Sequence, residues 1–198
     1  MQRATDGHIS GMTYGLINLG EMETEGYDLG VKYRLPELSF GQFAIDWQTS
    51  YLSQYDELGQ NKDGGDIMIG RVGEPGIFRI RSNLGLDWTL GDFGISYTAR
   101  YYSGMKESCV PNRPCSEPDH YANGEADPIR KVGANTFHDI QGRVNLPWGA
   151  TVSLGLNNMF NHQGPLLFSN SDARHSDYPY YGGFDTSRFF YLKYFQRF

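Results

Sequence analysis

The chain has little of what helical membrane proteins and nucleic-acid-binding proteins need. No stretch approaches the roughly 20 consecutive apolar residues of a spanning helix, and the mean hydropathy is −0.52. No basic block is present and the net charge is −6, so nothing indicates nucleic-acid binding. The opening MQRATDGHIS lacks the positive region and apolar run of a signal peptide. The sequence therefore predicts a cytoplasmic chain, a mature fragment or a piece of a longer protein.

The apolar content is unusually aromatic and alternates with polar residues at a period of two. Aromatic residues make up 15% of the chain, which also has 25 glycines. In FRIRSNLGLDWTL, the residues from Phe78 to Leu90 alternate between an apolar face and a face rich in Arg, Asn and Asp. Such alternation indicates β-strands with two different faces. The seven predicted strands are 12–35, with a bulge or break that could raise the count to eight, 41–55, 77–90, 92–103, 135–146, 150–160 and 186–198.

The lengths of the predicted strands and connections favour a transmembrane β-barrel. Most strands span about 9 to 13 residues, near the roughly 9–11 that a tilted membrane strand needs. Short turns alternate with long connections, near 56–76, 104–134 and 161–185, as in outer-membrane barrels. Trp88 and Trp148 lie near short turns, and Tyr51 and Tyr101 near long ones, which predicts an aromatic girdle at each end. A soluble β-sandwich with one wet face also alternates and is the competing interpretation.

The free-energy cost of placing a charged side chain in lipid indicates which predicted face would contact lipid. An arginine such as Arg79 or Arg81 facing lipid near the midplane would cost roughly 2–4 kcal/mol. We therefore expect Ile80, Leu84 and Leu86 to face lipid and the charged residues to face the interior.

Three segments carry a resemblance to a known family. They are NLGEMETEGYDLGVKYRLP (18–36), VSLGLNNMFNHQGP (152–165) and the terminal FFYLKYFQRF. The second contains a Gly-x-x-Asn-x-Phe pattern, and the third ends in phenylalanine, with Gln196 at an alternate position that is usually apolar. In their order and distance from the C-terminus, these segments resemble the C-terminal barrel region of TonB-dependent outer-membrane receptors.

The resemblance implies a fold, a location and a function. Similar proteins have a 22-stranded antiparallel barrel in the outer membrane of Gram-negative cells and an N-terminal plug domain. They take up scarce ligands, such as ferric siderophores, cobalamin or oligosaccharides, with energy relayed by the TonB complex. Residues 1–198 are then the C-terminal portion of the barrel, without a plug domain. The implied partners are outer-membrane lipid, the rest of the barrel and plug, the TonB complex and the barrel-assembly machinery.

The strand count separates this hypothesis from its alternative. Seven antiparallel strands cannot close, because bacterial single-chain barrels have even numbers of strands, and an open edge in hydrocarbon is costly. Eight strands would permit a small self-closed outer-membrane barrel with a structural or adhesive role.

Few residues offer chemistry of their own. Cys109 and Cys115 flank VPNRP in a long connection, and their spacing predicts a local disulfide. Zinc binding is the competing interpretation, although paired C-x-x-C spacing is missing. No nucleophile elbow is present, so we predict no enzyme activity, no catalytic residue, no metal and no cofactor.

Two further groups of residues have predicted roles in binding or assembly. The segment HSDYPYYGG in the last long connection mixes His, Asp and Tyr, which could contact a ligand or could pack among themselves. The terminal strand matches the signal that outer-membrane barrels present to their assembly machinery. The predicted ligand contacts are His175, Tyr178, Tyr180 and Tyr181, and the predicted assembly signal is Phe190, Leu192, Tyr194 and Phe198.

Overall fold

The computed structural model describes residues 2–3, 9–11, 20–60, 65–108, 129–164 and 187–197. All regular structure in these residues is β-strand. The strands are β1 (Gln2–Arg3), β2 (Ile9–Gly11), β3 (Met22–Arg34), β4 (Gln42–Gln60), β5 (Asp66–Gly70), β6 (Ile80–Leu90), β7 (Phe93–Tyr102), β8 (Met105–Ser108), β9 (Ile129–Val132), β10 (Asn135–Asn145), β11 (Ala150–Asn157) and β12 (Phe189–Gln196). No helix with the length and apolarity of a membrane span occurs in the described part of the chain.

The main sheet is an antiparallel meander. Its strands lie in the order β12-β11-β10-β7-β6-β4-β3, so that these seven strands follow one another in the sheet in the same order as along the chain. Between these seven strands, the register is continuous apart from one shift, at Glu25/Gly26 in the β3–β4 pair. Within the described residues, β3 pairs only with β4 and β12 only with β11. The two outermost strands therefore each have one edge without a partner strand in these residues.

Three shorter strands lie beyond the seven strands of the meander: β5 joins the same sheet, and β8 and β9 form a two-stranded sheet of their own. β5 pairs with residues 56–60 of β4, next to the place where β6 pairs with residues 42–51 of the same strand. β8 and β9 pair with each other and directly follow β7 and precede β10. These strands extend the hairpins on the side of the long connections.

Short connections lie along the opposite edge. They join β3 to β4, β6 to β7, and β10 to β11. The two-residue connection between β6 and β7 has Gly91 at its first position with φ of 54°, as type II′ hairpin turns require. Gly149, with φ of 77°, likewise supplies a left-handed residue in the β10–β11 connection. These left-handed positions allow tight reversals that fix the register of each hairpin.

The register places apolar residues on one face of the whole meander. Leu86 lies opposite Ile45 on one side and Tyr97 on the other. Leu154 likewise lies opposite Leu192 of the last strand. We call this the apolar face. The other face, here called the polar face, carries pairs such as Asn83–Arg100, Lys32–Asp46 and Arg143–Ser153.

Most predicted strand positions are confirmed, and the differences have clear causes. In the described residues, the first strand of the meander is Met22–Arg34, and the part of the predicted strand at 12–19 lies outside the described residues. The predicted loops 56–76 and 104–134 are partly wrong, because β4 runs to Gln60 and the short strands β5, β8 and β9 form within these segments. The predicted strand 150–160 ends at Asn157, because Asn158 takes a left-handed conformation with φ of 48°.

Candidate functional site

Charged side chains on the polar face contact charged or polar partners on nearby strands. Lys32 Nζ lies 3.1 Å from Asp46 Oδ2, and the Arg143 Nη2 group donates to Thr89 Oγ1 at 2.9 Å. The Ser96 hydroxyl donates a hydrogen bond to Asp87 Oδ1. A face with this many charged and polar side chains is suited to a wet interior and unsuited to hydrocarbon.

The least exposed ion pair in the described residues joins β7 to β10. Arg100 donates to Asp139 through Nε at 2.9 Å and Nη2 at 3.1 Å, a two-pronged geometry. Only 12% of the Arg100 side chain and 21% of the Asp139 side chain are exposed. The Arg100 guanidinium also lies 5.4 Å from the centre of the Phe137 ring. This pair is therefore partly shielded from water, unlike the exposed Lys32–Asp46 pair.

Asn158 links that ion pair to the chain that leaves β11. Its main-chain N–H donates to Asp139 Oδ1 at 2.7 Å. Its side-chain amide donates to the His162 carbonyl at 2.7 Å and accepts from the His162 N–H at 2.9 Å. Asn158 is fully buried and left-handed, a conformation that asparagine tolerates better than most residues. The Asn of the Gly-x-x-Asn-x-Phe pattern therefore ends β11 and fixes the start of the long connection.

An apolar cluster lies beside this network at the long-connection end of the sheet. It consists of Phe78, Met105, Val132 and Phe137, all at most 5% exposed, with Tyr102 packed against it. Phe137 lies opposite Arg100, and its ring centre lies 5.3 Å from that of His162. The alternation of apolar and polar residues does not reveal this cluster, although Phe137 gives a signal as an aromatic residue on the parity of the polar face.

The terminal strand presents aromatic residues to both faces. Phe190, Leu192 and Tyr194, predicted to form an assembly signal, lie opposite Leu156, Leu154 and Val152 on the apolar face. Each is at least 58% exposed. The other parity carries Phe189, Tyr191 and Phe195. The Tyr191 hydroxyl donates to Gln141 Oε1 at 3.0 Å, and Lys193 Nζ lies 4.8 Å from the centre of its ring.

The other predicted site residues lie outside the described part of the chain. They are Cys109 and Cys115, His175, Tyr178, Tyr180 and Tyr181, and Phe198. The disulfide, the ligand contacts and the terminal part of the assembly signal therefore stay predictions. Within residues 20–60, 65–108, 129–164 and 187–197, no group of three or more His, Cys, Asp or Glu side chains could hold a metal ion.

Together, the long meander, the short turns along one edge and the two unlike faces define a segment of an antiparallel β-barrel with an apolar exterior and a polar interior. A family model described as "TonB dependent receptor-like, beta-barrel" matches residues 2–159. The chain belongs to this family of TonB-dependent receptor barrels.

The chain has a partial likeness to a solved structure. This is the crystal structure of the siderophore receptor PiuA from Acinetobacter baumannii, and the two chains have 16% sequence identity and a TM-score of 0.46. The likeness covers 74% of this chain and 19% of that receptor, so the chain spans about a fifth of the receptor's length. A comparison with curated proteins gave no match.

Proposed function

We propose that residues 1–198 are the C-terminal portion of the barrel of a TonB-dependent receptor in the outer membrane of a Gram-negative cell. The complete receptor takes up a scarce ligand, a ferric siderophore, cobalamin or an oligosaccharide, by energy coupling through TonB. The family match over residues 2–159 supports this proposal. The protein acts as a transporter and not as an enzyme.

The separation of charge from apolar surface is the observation that carries the proposal. Arg81, Arg100 and Arg143 share the polar face, where they lie opposite residues such as Tyr102, Asn83 and Gly94. Turned toward hydrocarbon at mid-depth, each would cost about 2–4 kcal/mol. The opposite face carries Leu84, Leu86, Ile140 and Leu154. A sheet of this kind is stable with lipid outside and water or a plug domain inside.

The proposed partners follow from the free surfaces of this segment. The remaining barrel strands pair with the edges of β3 and β12, and the plug and the TonB contact belong to the N-terminal part of the receptor. The barrel-assembly machinery recognises the terminal strand through Phe190, Leu192, Tyr194 and Phe198. Ligand contacts from His175, Tyr178, Tyr180 and Tyr181 belong to the connection between β11 and β12. Cys109 and Cys115, in the connection between β7 and β10, form a disulfide that stiffens that loop.

A small self-closed barrel with a structural or adhesive role is not favoured. The described meander contains seven strands, and its outermost strands, β3 and β12, do not pair with each other. β5 adds to β4 beside β6 and does not lengthen the order of strands across the sheet.

Uptake by cells tests the proposed function. A strain lacking the gene is compared with the same strain carrying the full-length gene, using radiolabelled ferric siderophore, cobalamin and maltooligosaccharide in separate assays. We expect accumulation of one ligand class to depend on both the gene and TonB. Accumulation that persists without TonB, or no gene-dependent uptake of any of the three classes, would contradict the proposal.

A further inference from the structure

Two lysines lie directly opposite each other in the β8–β9 hairpin. The register pairs Lys106 with Lys131, and both residues are exposed. The Lys106 N–H donates to the Gly73 carbonyl at 2.6 Å and therefore points away from β9. The two lysines thus form a non-hydrogen-bonded pair, the kind in which the side chains of antiparallel strands come closest. Like charges opposite each other in this way destabilise a hairpin.

No acidic side chain in the described part of the chain neutralises this pair. Neither Lys106 nor Lys131 forms an ion pair within these residues. Glu74, in the turn whose Gly73 carbonyl contacts β8, is held by Arg71 at 3.2 Å. The hairpin therefore carries two adjacent positive charges, and an anion that accepts hydrogen bonds from both ammonium groups would stabilise it.

The lysine pair points to the outer side of the sheet. The adjacent pair of the hairpin, Met105–Val132, packs with Phe137 in the apolar cluster, and Phe137 lies on the polar face. Because successive residues of a strand point to opposite sides, the two lysines point to the side of the apolar face. An anion bound between them would lie outside the barrel wall and not in its interior.

A third cation lies at the same end of the apolar face. Arg79 Nη1 donates to the Tyr51 hydroxyl at 3.4 Å, and the guanidinium carbon lies 6.0 Å from the centre of that ring. Tyr51 lies opposite Ile80 on the apolar face, so this guanidinium lies at the edge of that face, although the alternation predicts that it faces the interior. The Ser103 N–H donates to the Ile80 carbonyl at 2.9 Å. The segment leading into β8 therefore lies beside the segment that carries Arg79.

We propose that Lys106, Lys131 and Arg79 bind a phosphate group in the headgroup of an outer-leaflet lipid. The long connections of outer-membrane barrels are extracellular, so these cations lie on the side of the outer leaflet. Lys106 lies five residues beyond Tyr101 of the predicted girdle, at most about 16 Å along the strand, and a lysine side chain can extend back toward the headgroups. Unlike the contact of the apolar face with hydrocarbon, this site requires a negative charge. The proposal rests on the membrane location proposed above.

Native mass spectrometry of the full-length receptor in detergent tests the site. The probe is lipid A with both of its phosphates, and the lipid control is the same molecule after removal of the phosphates. Lys106→Gln/Lys131→Gln removes the two charges of the pair. Lys32→Gln/Lys193→Gln is the matched control, because it removes two exposed lysine charges from the polar face.

We expect the wild type to bind phosphorylated lipid A more tightly than the dephosphorylated lipid. Lys106→Gln/Lys131→Gln should bind the phosphorylated lipid about 30-fold more weakly, the combined effect of two basic residues beside an anionic headgroup. The polar-face control and Lys106→Arg/Lys131→Arg should bind it as the wild type does. A heat-modifiable band on gels shows that each variant is folded. If the glutamine pair fails to fold, the comparison of the two lipids on the wild type decides.

The other outcomes identify what else could occupy the site. Equal affinity for the two lipids would overturn the phosphate site, and so would equal losses in the two glutamine variants. Displacement of lipid A by equimolar inorganic phosphate would overturn the lipid as its source. A receptor dimer that depends on the lysine pair would also overturn the proposal, because the pair would then bind a second copy of the protein. Each of these results would leave the proposed transport function standing, since the uptake assay tests that function separately.

Discussion

The ring of Tyr191 lies directly over Gly155, its cross-strand neighbour in the β11–β12 pair. A Cβ atom on Gly155 would come within 2.0 Å of Tyr191 Cζ. The ring reaches across β11 to Gln141 on β10, where its hydroxyl donates a hydrogen bond of 3.0 Å. Glycine weakens a strand. Here the Tyr191 ring covers the glycine and connects β12 to β10, the strand beyond its direct neighbour β11.

This relationship predicts that even one methyl group at Gly155 is harmful. Gly155→Ala should displace the ring, break the hydrogen bond to Gln141 and lower the free energy of unfolding by about 1–3 kcal/mol. Gly142→Ala is the matched control, since space is open there, and it should be neutral or stabilising by up to about 1 kcal/mol. Urea unfolding of the receptor in vesicles measures both. Equal effects of the two variants would show that Tyr191 does not depend on Gly155.

The two ion pairs of the polar face should differ in their contribution to stability. Asp139→Ala removes the partner of Arg100 and the acceptor for the Asn158 N–H, and the side chains concerned are largely shielded. We expect a loss of about 2–3 kcal/mol in the free energy of unfolding. Asp46→Ala should cost at most about 1 kcal/mol, since the Lys32 side chain is 75% exposed. The same urea titration compares them, and a cost for Asp46→Ala as large as that for Asp139→Ala would refute the distinction.

Asn158 should be sensitive both to loss of its amide and to its backbone conformation. Asn158→Ala removes both side-chain hydrogen bonds to His162 and places a less tolerant residue at φ of 48°, for an expected loss of about 2–4 kcal/mol. Asn158→Gly loses the same bonds without the conformational strain, so it should be less harmful by about 1 kcal/mol. Thermal unfolding followed by heat-modifiable migration gives the order of the variants. A glycine variant no more stable than the alanine variant would argue against strain at this position.

The assignment of faces predicts opposite responses to the same new charge. Leu86→Arg on the apolar face should cost about 2–4 kcal/mol in the membrane and reduce the amount of folded receptor in the outer-membrane fraction. Gln48→Arg, on the polar face of the adjacent strand and exposed, should leave that amount close to wild type. Quantitative gels of unheated samples measure the folded band. If Gln48→Arg proved the more damaging of the two, the assignment of faces would be wrong.

Much of the fold could be predicted because its pattern is local. A period of two fixes which side chains share a face within a strand, and residues such as Ile80 to Leu90 show it without knowledge of any neighbour. Glycine at Gly91 and Gly149 marks tight turns for the same reason, since backbone conformation there depends on the residue itself. Strand positions, the alternation of short and long connections, and the two faces were all determined at this level.

Other features were decided only by the tertiary structure. Where the left-handed Asn158 ends β11, its N–H is bonded to Asp139, a residue of the neighbouring strand. The aromatic residues Phe137 and Tyr191 have the parity of the polar face, and only the pairing of strands shows that one lies beside Arg100 and the other over Gly155. Alternation within a strand does not contain this information, because register between strands brings together residues that are distant in sequence.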